Sequence, residues 1–233
     1  VKVTITQLQT EKRLIRDRLW ERPDQFTMSK EDYVRAFPYD EYDNENDYRS
    51  WEKGAKTFEK SDSALATGDW LVSGTRFTPG FYIIEMETRD KTGQIVKDVK
   101  YTELVDEKSI KLNKPDYLWT GNLKTTVEPG QSAEIQIGSS ATDLFVIQEL
   151  NKNSNGKYPS SYSYLRWSDQ KQNLAFPATE AERGGFGVSW IFVKNNRFYQ
   201  HNQVITVPWS NKDLAIEYAT YRDKTLPGSE EKW

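Results

Sequence analysis

The sequence predicts an all-β protein made of tandem sandwiches, and three observations predict it. The chain closes in the same way twice. Gly80-Phe81 opens an apolar strand, a polar turn at 90–93 and a second alternating strand that ends at Asp106. Gly185-Phe186 opens the same series around a turn at 194–196 and ends at Ser210. The two openings stand 105 residues apart, and a repeat of about a hundred residues is the size of one two-sheet sandwich. The second observation is a succession of short runs rich in β-branched and aromatic residues, each bounded by Gly, Asp or Pro. The third is a further start after the second closing hairpin. Leu214, Ile216 and Tyr218 alternate before Leu226-Pro227-Gly228, echoing Glu128-Pro129-Gly130 ahead of Ala133, Ile135 and Ile137. The organisation so read is a first sandwich over 1–106, a second over 107–210, and the truncated start of a third β domain over 211–233.

In the first unit, strands are expected at 1–8, 55–60, 69–73, 81–88 and 94–105. Val1, Val3, Ile5 and Leu8 give apolar positions from the first residue, so the chain reads as beginning inside a strand whose upstream sequence was removed. Residues 16–54 form a polar insertion with one helix. Ser29 is placed to cap it, Asp32 follows three residues later as in a capping box, Met28 can staple onto Tyr33, and Pro38 stops it after two turns. Trp20, Phe26, Phe37 and Trp51 are expected to dock the insertion on the first sandwich, each buried ring contributing about 2 kcal/mol. In the second unit, strands are expected at 108–112, 118–127, 132–138, 143–150, 162–167, 172–176, 186–193 and 198–207. Tyr82, Ile84, Met86 and Trp70 are the expected core of the first unit. Trp190, Phe192, Ile135, Phe145 and Ile147 are that of the second. Matching the apolar face of Tyr82-Ile84-Met86 to Val188-Trp190-Phe192 takes an offset of 106, one more than the repeat, and a one-residue slip exchanges the faces of a strand. The fold class is therefore all-β, as tandem immunoglobulin- or fibronectin-III-like sandwiches with a partly helical insertion in the first.

Composition narrows the function. The 233 residues carry 32 Lys and Arg against 35 Asp and Glu, a net charge of −3. No basic stripe gathers on one segment, so a nucleic-acid partner, which needs clustered cations for the phosphates, is not expected. No apolar run approaches the ~20 residues that span a bilayer, and insertion of this segment into a membrane is not expected. Cys is absent, which removes disulfides, thiolate metal sites and cysteine nucleophiles.

The acidic stretch 40–47 is the sharpest chemical candidate. Asp40, Asp43, Glu45 and Asp47 offer hard oxygen ligands of the kind calcium takes. The stretch lacks the central Gly and terminal Glu of a helix–loop–helix calcium site, and the plainer reading is a solvated loop with Arg35 and Arg49 as counter-charges. His201 is the only histidine. It sits within an alternating strand, and no Gly-x-Ser-x-Gly elbow presents a serine to it. Nor does the sequence isolate a carboxylate pair that burial would tune apart for acid–base work. No enzyme and no cofactor are expected. Tyr158, Tyr162, Tyr164 and Trp167, within KYPSSYSYLRWSDQ, form a candidate interaction surface, because such rings serve as stacking platforms and interface anchors. Period two splits them: Tyr162 and Tyr164 share one strand face with Arg166, while Trp167 shares the other with Leu165. One of those faces is core.

Several phrases carry a resemblance. Pro79-Gly80-Phe81-Tyr82-Ile83 with Asp90-Lys91-Thr92-Gly93 resembles the closing strands of a macroglobulin domain. Glu128-Pro129-Gly130-Gln131 resembles the early strand of the next, and Tyr221-Arg222-Asp223-Lys224-Thr225-Leu226-Pro227-Gly228 the start of a third. Ala36-Phe37-Pro38-Tyr39-Asp40-Glu41-Tyr42 is similar to the large alpha-2-macroglobulin-like envelope proteins of Bacteroides-type bacteria. The resemblance implies a protease-trapping inhibitor, in which a frame of macroglobulin domains carries a cleavable bait segment and often a Cys–Gln thioester. This chain has no Cys and no bait-like stretch, so no reactive residue is carried over, and the region would belong to the frame. The implied partners are neighbouring macroglobulin domains of a parent chain and, through the full-length protein, host or competitor proteases. The implied location is the bacterial cell envelope, periplasmic or surface-exposed. The alternative is a carbohydrate-binding or adhesin-type β-sandwich module of a bacterial surface protein, built on the aromatic cluster.

Overall fold

The computed structural model describes residues 1–63, 74, 77–152, 157 and 159–210, apart from the side chains of Asn122 and Leu123. The expected strand at 69–73 with Trp70, the start of a third domain at 211–233, and Tyr158 lie outside the described residues. The protein is all-β, with antiparallel sheets and a single α-helix among the described residues.

The first sheet joins β1 (Lys2–Leu8), β2 (Lys53–Ser61), β3 (Gly80–Arg89) and β4 (Ile95–Leu104) in the order β2-β1-β3-β4. Ile5 stands between Phe58 and Ile84, and Ile84 stands opposite Lys100. Because side chains alternate, this row shares a face with Tyr82, which is buried against Phe77 at 5.5 Å between ring centroids. Ile84 and Met86 are only partly buried. The β3–β4 turn is closed by one carboxylate: Asp90 Oδ1 accepts from Thr92 N, Thr92 Oγ1 and Gln94 N at 2.7–2.9 Å. Thr92 and Gln94 are thus held where the polypeptide must reverse.

The second unit is a sandwich. A three-stranded sheet, β5 (Trp119–Lys124), β6 (Ser132–Ser139) and β9 (Gln170–Pro177), runs in the order β5-β6-β9. It faces a four-stranded sheet of β7 (Leu144–Asn151), β8 (Ser160–Trp167), β10 (Phe186–Lys194) and β11 (Arg197–Ile205), ordered β11-β10-β7-β8. Alternate residues of β6 (Ala133, Ile135, Ile137) and β10 (Phe186, Val188, Trp190, Phe192) meet in one core, completed by Trp167 and Phe176. The β10–β11 turn has only Asn195 and Asn196 between the paired Lys194 and Arg197, both at positive φ (+48° and +58°). Asn tolerates that region better than other side-chain residues, and two such residues match the twist of a hairpin.

Two expectations are corrected here. Residues 108–112 form no strand. Just before that segment the Glu107 carbonyl accepts from Gln136 Nε2 on the outer face of the three-stranded sheet (3.1 Å), and within it the Ile110 carbonyl accepts from Lys171 N at the free edge of β9 (2.6 Å). This is why Gln136, facing away from the core between two buried isoleucines, is itself 2% exposed. Phe145 is not core. It lies on the outer face of β7 and is 48% exposed, and Ile147, two residues on, shares that outer face.

The segment between β1 and β2 reaches both units. Helix α1 (Lys30–Ala36) starts as the capping pattern requires, with Ser29 Oγ accepting from Asp32 N at 3.1 Å, and it ends before Pro38. Of the four rings expected to anchor the segment, Trp20, Phe26 and Phe37 are exposed, and only Trp51 is half-buried. Trp51 and Tyr48 pack on Phe81 of β3, with centroids 5.1 and 5.6 Å away, and Trp51 Nε1 donates to the Glu45 carbonyl. On the other side Leu14 packs against the core of the sandwich. Arg16 Nη1 donates to the Asn195 carbonyl at 2.7 Å, and Arg197 donates to the Asp17 carbonyl. The polar segment thus acts as a wedge, held on the first sheet by Tyr48 and Trp51 and on the β10–β11 turn by arginine hydrogen bonds.

Candidate functional site

The acidic stretch spends its charge inside the wedge. Asp40 pairs with Arg16 (Nη2–Oδ1 2.5 Å), Asp43 pairs with Arg22, and Asp47 Oδ1 accepts from Arg49 N at 3.0 Å to cap the 3₁₀ turn at 48–50. Glu45 is buried. Its Oε2 accepts from Asp43 N at 2.7 Å, and its Oε1 lies 2.9 Å from Lys30 Nζ and 3.5 Å from Arg13 Nη2. Burial pushes the Glu45 carboxyl up, but the Lys30 ammonium and the backbone donors outweigh it and hold the group below the usual carboxylate range. Each of the four carboxylates points to its own partner. Among the described residues no three acidic, His or Cys side chains converge in a way that could hold a metal ion.

The aromatic strand divides as period two requires. Trp167 is buried in the core, and Tyr162 and Tyr164 stand outward, 56% and 67% exposed. They do not stand alone. Tyr164 stacks on Phe145 (5.7 Å, 10° between planes), and the Arg166 guanidinium lies 5.2 Å from the Phe145 centroid while pairing with Asp143 at 3.2 Å. Tyr162 Oη and Ser160 Oγ both donate to Glu149 Oε1, at 3.1 and 2.6 Å. The same outer face continues through Ile191 and Val193 of β10 and Phe198 of β11, with Val193 and Phe198 66% and 58% exposed. These outward apolar side chains make this sheet face the candidate surface of contact.

The sequence carried a signal for this surface beyond the tyrosines. Leu144-Phe145-Val146-Ile147 and Trp190-Ile191-Phe192-Val193 are apolar at every position. A strand with one solvated face alternates, whereas a strand apolar on both faces asks for cover on both.

His201 lies on the inner side of β11, paired with Trp190 across the ladder, their rings 6.0 Å apart. Its Nε2 is buried without a hydrogen-bond partner. Burial lowers its pKa below the ordinary 6.5, and a hydrogen bond with Gln203 only partly opposes this. The folded protein therefore binds this proton less readily than the unfolded chain. The contribution of neutral His201 to stability is complete above pH 6.5 and is lost as pH falls through the folded pKa. Urea midpoints between pH 7.5 and 5 are expected to fall more steeply for the native protein than for His201→Gln. Equal slopes would remove the imidazole from the acid response. Nearby, Tyr117 and Tyr199 stack at 4.9 Å, and burial raises both phenols above their ordinary value. These groups face the packed interior, which leaves the outer sheet face as the candidate site.

A scan against protein-family models and a search of curated proteins found no match to this chain.

Proposed function

We propose that this chain is a framework segment of an alpha-2-macroglobulin-like, protease-trapping envelope protein, and that it contributes geometry and not chemistry. The observation that carries the reading is the wedge. Tyr48 and Trp51 grip the first sheet while Leu14, Arg16 and Asp17 grip the sandwich, so two β units are braced through one segment. A frame that must hold a bait and then transmit its cleavage needs neighbouring units in fixed orientation. The tandem hairpins and the macroglobulin-like phrases agree with this use. Its partners on this reading are the adjoining macroglobulin domains and, through the complete protein, the captured protease.

The carbohydrate-binding or adhesin alternative would use Tyr162 and Tyr164. It is less well supported, because Tyr164 and Phe145 stack on each other on an open sheet, whereas a sugar ring docks on a free aromatic face. The test of the framework reading is whether the two units keep one fixed separation in solution, measured between spin labels.

A further inference from the structure

We propose that the outer face of the β11-β10-β7-β8 sheet is an interface between two copies of this chain, packed face to face about a two-fold axis parallel to the strands. The inference is independent of the macroglobulin reading and rests on how this face is laid out.

The ladder registers arrange the outward residues in rows across the four strands. From β8 to β11 the first row is Arg166, Phe145, Val193 and Phe198, with Phe145 and Val193 each two residues beyond the paired Ile147 and Ile191. The second is Tyr164, Ile147, Ile191 and Gln200, and the third is Tyr162, Glu149, Ser189 and Asn202. Apolar character is therefore concentrated at one end of the strands and polar character at the other. A two-fold axis along the strands, between β7 and β10, lays each row over the same row of the second copy with its order reversed. Phe145 then meets the partner's Val193, and Ile147 meets the partner's Ile191. Arg166 meets the ring of the partner's Phe198, Tyr164 meets the partner's Gln200, and Glu149 meets the partner's Ser189.

No like charges oppose each other in this arrangement, and the one anion of these rows already accepts from Ser160 and Tyr162. An axis across the strands between the second and third rows would instead lay Ile147 over Glu149, setting a charge against an aliphatic chain. One between the first two rows would avoid that but cover only those two rows, so charge and covered area together favour the axis along the strands. Area agrees. Four strands about 4.8 Å apart and eight residues long at about 3.3 Å each present roughly 500 Å² per copy. Two such faces bury roughly 1,000 Å², the size at which specific interfaces begin. Sheets stacked in this way pack with their strands nearly aligned and their side chains interdigitated, which also covers the runs that are apolar on both faces.

The test is the mass of the whole chain in solution, by sedimentation or light scattering over a range of concentrations. The native protein is expected at about 54 kDa, twice the 27.2 kDa of one chain. Phe145→Lys and Val193→Glu, both at exposed positions, are each expected to halve that mass while leaving the near-ultraviolet circular dichroism of the buried tryptophans unchanged. Mixing the two variants brings Lys at 145 against Glu at 193 across the two-fold, and the doubled mass is expected to return. A native chain that stays at 27.2 kDa throughout overturns the proposal, whether or not the face then retains a glycan or another protein. Variants that remain dimeric overturn it too, as does a mixture that stays monomeric.

Discussion

Gly185→Ala is expected to cost the sandwich roughly 3–5 kcal/mol, by combining backbone strain with overpacking. Gly185 adopts φ +124°, a region open to glycine and hostile to any residue with a Cβ. A Cβ built there would also stand well inside van der Waals contact of the Ile205 carbonyl oxygen, and a backbone atom paired in the sheet cannot swing aside as a side-chain tip can. The position is fixed from both sides, since Gly185 N donates to the Glu182 carbonyl at 2.8 Å and Gly184 N donates to the Val207 carbonyl at 2.7 Å. A loss of this size is a large share of the 5–15 kcal/mol that ordinarily separates folded from unfolded domains. It should lower the melting temperature by at least ~12 °C at about 4 °C per kcal/mol. The measurement is a thermal or urea melt followed by tryptophan fluorescence. A midpoint within two or three degrees of the native one would show that the loop re-forms around the new methyl group.

Trp190→Ala is expected to cost about 3–5 kcal/mol through the cavity it leaves. Trp190 is fully buried at the centre of β10, edge-on to Phe176 and stacked beside His201. Its Nε1 donates to Gln148 Oε1 at 2.9 Å, so truncation also leaves an acceptor without its donor. Trp190→Phe keeps most of the volume and loses only the hydrogen bond and part of the ring, so it should fall between the alanine variant and the native protein. If phenylalanine and alanine cost the same in urea titrations, the hydrogen bond and not the volume dominates at this site.

Much of the fold is legible because its strands obey local rules. Both closing hairpins, the inward set Val188-Trp190-Phe192 and the Ser29 cap follow from alternation and turn chemistry, which depend on nearby residues. At the offset of 106, Tyr82 and Val188 are both buried, but Ile84 and Met86 are only partly buried where Trp190 and Phe192 are buried. What failed depends on partners distant in sequence. Phe145 reads as core from its neighbours, and only its pairing with Arg166 and the facing of Trp167 decide that it points outward. Residues 108–112 read as a strand, but the Ile110 carbonyl takes only the Lys171 N–H, and the carbonyls just before it, Asp106 and Glu107, take Lys171 Nζ and Gln136 Nε2, pairings that no local pattern announces. Trp51 is legible as an anchor of the wedge because rings are the usual anchors. The arginine bonds that complete it are not, because the oxygens they satisfy are mostly backbone carbonyls, and carbonyls are invisible in a sequence.

Whether the two β units form one rigid body is tested most directly by pulsed electron resonance. The chain has no cysteine of its own, so Lys91→Cys in the β3–β4 turn and Asn173→Cys on β9, both exposed, would carry the only labels. Labelled protein is diluted with unlabelled chain so that only distances within one molecule are read. One narrow distance peak is expected, and it should broaden when Arg16 and Arg197 are both changed to alanine, because the wedge then loses its hold on the β10–β11 turn. A broad distribution in the native protein would contradict the framework reading, since units that swing freely about the wedge cannot hold a frame.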